Sequence, residues 1–274
     1  MNNKQLNNND LKILTREVTE LTRTIGNSVK AEIQQLEQND IHEKQQNDFV
    51  TYVDKASEET LVQKLRQLFP EAGFLTEEGT ATEQKDYRWI IDPLDGTTNF
   101  IHQVPVFSIS IALQYKDQTL LGVIYEPNFE ECFYSWQGHP VFVNDKEIKV
   151  STNNRIEESL IATGFPYQKD EKMKNIMSLM ETLLNRSHGI RRLGSAALDL
   201  AWVAAGRFDA FYEYGLNPWD VAAGQFLVSQ AGGQVSDFSG NDNFLFGKEI
   251  LATNTQIHKL ILEILQKHLK DIDR

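Results

Sequence analysis

A single cysteine, Cys132, is all the thiol chemistry available in these 274 residues. Internal disulfides need pairs, so a cross-linked framework is excluded and a reducing compartment suits the chain. Cys132 lies among apolar residues in a strand-like stretch, which reads as a small packed side chain and not a nucleophile. No run approaches the roughly 20 apolar residues of a membrane span. The polar start, MNNKQLNNND, lacks the apolar stretch of a secretory signal. Positive charge is scarce too, with 27 Lys and Arg against 39 Asp and Glu for a net charge of −12. That deficit disfavours nucleic acid as a partner, because such binding draws its affinity from phosphate neutralisation. An acidic chain still binds phosphates where metal ions supply the positive charge. These absences describe a cytoplasmic protein with no membrane partner.

With 41% apolar residues the chain can bury a large core, near the size at which one core begins to split in two. Leu11, Leu14, Val18, Leu21, Ile25, Val29, Ile33 and Leu36 recur every three or four residues and predict a long amphipathic helix. A polar loop from Glu37 to Asp48 follows, then a helix from about Asp54 to Phe69 that Pro70 ends. Short strands are expected around 73–76, 89–92, 107–115, 120–125 and 131–136, forming a largely antiparallel sheet under the two helices. The second half alternates differently. Strands are expected near 160–163, 208–213 and 234–237, with helices from Met173, at Gly194-Ser195-Ala196, after Pro218 and from Thr255. The expected organisation is one domain over 1–274 with two lobes, about 1–150 and 151–274, and an α+β or α/β layered fold.

Residues 89–100, Trp-Ile-Ile-Asp-Pro-Leu-Asp-Gly-Thr-Thr-Asn-Phe, carry the strongest chemical signal. An apolar strand delivers Asp92 and Asp95 into a turn stiffened by Pro93 and permitted by Gly96, with the hydroxyls of Thr97 and Thr98 behind. Anionic oxygens on a stiff turn suit a hard divalent cation such as Mg²⁺; the same residue types also make ordinary surface turns. Other candidates have two readings each. Glu77 and Glu78 are ligands or a solvated loop; Asp220, after Pro218-Trp219, is a ligand or an acid favoured at a helix start. Asp54 is a functional carboxylate or a helix cap. Gly194-Ser195-Ala196 offers N–H groups to an anion or is a close-packed helix entry. Gly232-Gly233 reads as a turn, Trp219 as core and Glu213 as an exposed strand end.

Taken in order and spacing, these pieces resemble the inositol monophosphatase family of lithium-sensitive, magnesium-dependent phosphatases. The pattern runs Asp54, Glu77-Glu78, Asp92-Pro93-Leu94-Asp95-Gly96-Thr97, then Trp219-Asp220, eleven residues and Gly232-Gly233. The resemblance implies a layered α-β-α-β-α fold and hydrolysis of a phosphate monoester, inositol 1-phosphate first, with no covalent phosphoenzyme. Fructose 1,6-bisphosphate, 3′-phosphoadenosine 5′-phosphate, histidinol phosphate and NADP(H) are the family's other substrates. It implies Mg²⁺ held by Glu77, Asp92 and the Leu94 carbonyl, and again by Asp92, Asp95 and Asp220, for two or three ions per site. Thr97, hydrogen-bonded to Asp54, would orient the attacking water. Backbone N–H groups of Gly96 and Thr97 would hold phosphate oxygens, and Gly194, Ser195, Ala196 and Glu213 would meet the leaving group. Lys44 matches a lysine that reaches waters at the metals, or is a solvated charge. Asn217 and Pro218 differ from animal members. A homodimer is implied, and some bacterial relatives instead assist transcription complexes through surface contacts.

Overall fold

The computed structural model describes residues 6–33, 41–45, 48–165 and 172–269, with side chains from 48–50, 41–45 and 172 left aside. The apolar spacing of the first segment forms α1 (Asn8–Glu32), which buries Leu11, Leu14, Val18, Ile25 and Val29. Asn7 caps it, its side chain accepting from the amides of Asn9 and Asp10. The polar N-terminal stretch is therefore helix cap from Asn7 onward; residues 1–5 lie outside the described part.

The stretch expected as a polar loop instead contains β1 (Ile41–Gln45), paired antiparallel with β2 (Asp48–Thr51). Backbone pairing, with Ile41 opposite Thr51 and His42 opposite Val50, overrides polar composition there. Lys44 lies in β1, and its side chain is outside the described part. Next come α2 (Tyr52–Leu68), β3 (Gly73–Thr76), β4 (Thr82–Glu83), β5 (Tyr87–Asp95) and α3 (Thr97–Ile101). The strands β6 (Ser108–Tyr115), β7 (Gln118–Glu126), β8 (Glu131–Trp136), β9 (Val141–Val143) and β10 (Lys146–Ile148) complete an eight-stranded sheet ordered β10-β9-β8-β7-β6-β5-β3-β4. Only the β3/β5 pair is parallel among its described pairings.

The second half supplies β11 (Leu160–Thr163), α4 (Lys172–Leu184), β12 (Gly189–Arg191), α5 (Ala196–Ala204), β13 (Ala210–Tyr214), α6 (Pro218–Gln230), β14 (Gln234–Ser236), β15 (Glu249–Thr253) and α7 (His258–Leu269). Its sheet runs β12-β11-β13-β15-β14, parallel around β11 and antiparallel around β15. Strand β15, absent from the sequence expectation, is the fully used inner partner between β13 and β14.

Alternation along each strand sorts the core into layers. Trp89, Ile91, Ile111 and Val123 face α1 and α2, whereas Ile90, Ala112 and Ile124 face α5 and α6. Helices α5 and α6 also receive Ala162, Phe211 and Ile250 from the second sheet, whose other face packs Ile161, Tyr212 and Leu251 on α4 and α7. The result is an α-β-α-β-α stack. Cys132 is fully buried in the first core, and burial pushes its thiol up to about 12. Among the described residues no helix is long and apolar enough to cross a membrane.

Candidate metal and phosphate site

The layering brings the C-terminal ends of β5 and β13 against the starts of α3, α5 and α6. Strand β5 does not end in a turn at Pro93. Asp92 still pairs with Ser110 and Asp95 with Ser108, and the irregularity falls between the two acids. Two residues of β5, Pro93 and Leu94, thus lie against one residue of β6, Ile109, a bulge that redirects both carboxylates while the ladder continues. A Leu94 N–H bond to Asp92 Oδ1, 2.9 Å, stiffens the bulge. The chain turns one residue later, at Gly96. Its φ is +104°, and a Cβ there would lie 3.1–3.2 Å from Val106 O, Gly194 O and Phe107. Glycine is needed on both counts.

Oxygens of Asp92, Asp95 and Asp220 lie within 4.8 Å of one another, and Asp92 is buried. Burial, then Glu77, Asp95 and Asp220 in turn, hold Asp92 well above the usual carboxylate range. The Glu77 and Asp92 carboxyls are also within hydrogen-bonding reach of each other. Asp220 is raised in the same way by burial, Asp95 and Glu77. Four acids converging with so little positive charge nearby require protons or a cation, and an all-oxygen donor set with the adjacent Leu94 carbonyl fits Mg²⁺. The helix-start reading of Asp220 also holds, because Asn217 N–H donates to its Oδ2 at 2.6 Å. The same carboxylate thus fixes the start of α6 and contributes an oxygen to the cluster. Pro218 opens that helix and Trp219, half-buried, packs beside the central core.

Asp95 is gripped from α5. Ser195 Oγ and the Ala197 N–H both donate to its Oδ2 at 2.7 Å. The Ser195 hydroxyl, which also caps α5 at Leu198 N–H, is therefore turned toward Asp95. Asn99 was not singled out from the sequence. Its amide donates to Val106 O and Leu193 O, both at 2.7 Å, tying the α3 loop to the α5 entry. Glu78 is half-buried in the loop after β3.

Thr97 Oγ1 lies 3.0 Å from Asp54 Oδ1 and 3.1 Å from Leu94 O, both of which can accept its proton. Asp54 Oδ2 accepts from Thr51 N–H at 2.8 Å and Thr51 Oγ1 at 2.6 Å. Asp54 thus caps α2 and reaches Thr97 with separate oxygens. Burial raises it above the ordinary carboxylate range, against the lowering by these hydrogen bonds.

Glu213 is half-buried, not a free strand end. A Cβ on Gly164 would fall 2.0 Å from its carboxyl group, so the glycine makes the room in which that carboxyl lies. Burial pushes Glu213 up to about 8, with Arg192 opposing. Asp199, one turn into α5 and 1% exposed, stands well above the usual range through burial and then Glu213. The turn expected at Gly232-Gly233 follows α6, with Gly232 at φ +89° and open space where a Cβ would lie.

These shifts fix a pH dependence of stability. Burial raises Asp95 to about 6 and Glu213 to about 8. An acid whose folded-state pKa is raised favours folding below its unfolded value, and the advantage is lost as pH rises through the folded value. The melting temperature of the metal-free protein should therefore fall from about pH 5 to about pH 8. Added Mg²⁺ should offset the fall. A melting temperature flat across that window would contradict the acid cluster.

Comparison with known proteins agrees with this fold. The sequence pattern of the inositol monophosphatase family matches residues 10–270. A Nus factor SuhB of Pseudomonas aeruginosa is 43% identical over 253 residues, 90% of this chain and 93% of that one. An inositol-1-monophosphatase of Mesorhizobium japonicum is 38% identical, over 89% and 92% of the two chains. The solved structure of a Thermotoga maritima IMPase superposes with a TM-score of 0.87 at 35% identity, covering 94% of this chain and 98% of that one. The chain belongs to the inositol monophosphatase family.

Proposed function

We propose that this protein is a Mg²⁺-dependent phosphomonoesterase whose first substrate is inositol 1-phosphate, hydrolysed by water without a covalent intermediate. The convergence of Asp92, Asp95 and Asp220 carries the reading. Asp92, Asp95 and Asp220 would hold one ion, and Glu77, Asp92 and the Leu94 carbonyl another. Bound Mg²⁺ supplies positive charge that acidifies water and offsets charge on phosphate and leaving oxygen. Thr97 then orients the attacking water through an oxygen lone pair while its own proton bonds to Asp54. A carboxylate raised above its ordinary range accepts a proton more readily, so Asp54 is the terminus for the water's proton. N–H groups of Gly96 and Thr97, at the α3 start, hold phosphate oxygens. The Gly194–Ala196 backbone and Glu213 receive the alcohol's hydroxyls. Other small phosphate monoesters, including sugar and nucleotide ones, fit the same chemistry, and a homodimer follows the family.

Phosphate release from a monoester panel tests this. EDTA should abolish activity and Mg²⁺ should restore it; activity that survives EDTA would sink the metal reading. Li⁺ should inhibit more strongly than Na⁺ at equal ionic strength, in an uncompetitive or mixed pattern. A small monovalent ion among three carboxylates leaves the set short of positive charge. Equal effects of the two ions would remove lithium sensitivity from the proposal.

A second reading rests on the 43%-identical relative called a Nus factor. On it, the chain also acts by binding a partner, and the net charge of −12 favours a protein over a nucleic acid. A phosphatase-dead Asp95→Asn chain that restores a deletion strain would favour this role. Failure to restore it would favour catalysis alone.

A further inference from the structure

Glu58 lies one helical turn after Asp54 on α2, so the two side chains share a face. Both are fully buried. Asp54 points to Thr97, and Glu58 points to the loop between β3 and β4, which begins with Glu77. Glu58 Oε2 accepts the Glu78 N–H at 2.7 Å, and Oε1 accepts the Thr80 N–H at 2.8 Å. The loop's base is closed separately. Glu77 N–H donates to Ile91 O, and Thr76 Oγ1 bonds to the Ala81 backbone. Gly79, at φ +73°, forms the tip with open space around it.

Burying a carboxylate is costly unless it is hydrogen-bonded, and here both oxygens are used on backbone donors of one short loop. Simple packing would be met by an apolar residue at this position, as at the neighbouring Leu61. The charged group does something packing does not: it fixes the path of the backbone immediately after Glu77. With both oxygens engaged, the loop is pinned to the same helix that pins Thr97.

We propose that Glu58 is a positioning residue for the metal centre: by clamping the Glu78 and Thr80 amides it holds Glu77 in register with Asp92, and so sets cation affinity. The inference rests on the metal reading above. Helix α2 thereby registers two parts of the site at once, the hydroxyl of Thr97 through Asp54 and the carboxylate of Glu77 through Glu58.

The test is direct binding of Mn²⁺, followed by loss of the free-ion electron paramagnetic resonance signal, in the full-length wild type and Glu58→Gln. The glutamine keeps the volume but turns an N–H₂ donor toward one of the two amides. Its affinity should fall about 10-fold or more, in the range found for outer partners of metal ligands. The Mg²⁺ concentration for half-activation should rise in parallel, while turnover at saturating Mg²⁺ stays within about threefold of wild type, a split that general destabilisation does not produce. Equal Mn²⁺ affinity in the two proteins overturns the inference and leaves the metal reading standing. Absence of Mn²⁺ binding by wild type overturns both. Should Glu58→Gln not fold, amide exchange in metal-free wild type decides instead. The Glu78 and Thr80 amides should exchange slowly although they lie in a loop, and open-loop rates would overturn the clamp.

Discussion

Asp95→Asn should lower phosphatase turnover on the order of 10²–10³-fold, the scale at which one preorganised electrostatic partner of a reacting group is lost. The reason lies in how Asp95 is held. Its Oδ2 accepts hydrogen bonds from Ser195 Oγ and Ala197 N–H, so an asparagine keeps its carbonyl oxygen on that side. The amide N–H₂ is then forced toward Asp92 and Asp220. A donor stands where the cation needs an acceptor, and one of three converging negative charges is gone. The metal-free fold should not suffer. Removing a buried acid from a like-charged cluster relieves repulsion, so the melting temperature without Mg²⁺ should equal or exceed that of wild type. Steady-state assays and calorimetric Mg²⁺ titration check the two halves together. A well-folded Asp95→Asn protein with full activity would remove Asp95 from the metal centre.

Thr97→Ala separates water orientation from metal binding. Turnover should drop about 10²–10⁴-fold, the usual range for general acid–base assistance. Mg²⁺ affinity should change little, because the hydroxyl contributes no charge to the cluster. Thr97→Ser keeps the oxygen that bonds to Asp54 and should retain most of the activity. Single-turnover kinetics with calorimetry in parallel read both quantities. Metal binding lost to the same degree as in Asp95→Asn would show that Thr97 serves the ions and not the water.

The rationale for both variants is only partly legible in the sequence. Asp92, Asp95 and Thr97 stand within six residues, so their proximity is dictated by covalent chain length alone. Their geometry is not. The segment reads as strand then turn, because proline and glycine punctuate it, yet pairing with Ser110 and Ser108 keeps the strand going and converts the punctuation into a bulge. A ladder partner 13 residues away makes that choice, and local residue preference does not contain it. The β1/β2 pair and strand β15 are illegible along the chain for the same reason: strands are specified by their partners more than by their own composition. Helices are more legible, because the 3.6-residue spacing of α1 and the Pro218 start of α6 are local signals.

The layered fold class, the family and the acids available for a cation are legible from the chain alone. Apolar periodicity, a single cysteine and the compound Asp, Glu-Glu, Asp-Pro-Leu-Asp-Gly-Thr and Trp-Asp pattern are all written along one chain. Packing across the fold sets which acids meet and how each is held. It brought Asp220 to Asp92 and Asp95 across more than a hundred residues, turned Ser195 onto Asp95 and laid Glu213 over Gly164. It also made Glu58, an unremarked glutamate in a charged helix, the clamp of the Glu77 loop. The physical reason is the same throughout. A side chain's type fixes what it can bind, but the burial that makes a buried carboxylate demand a partner comes only from elements packed far apart in sequence.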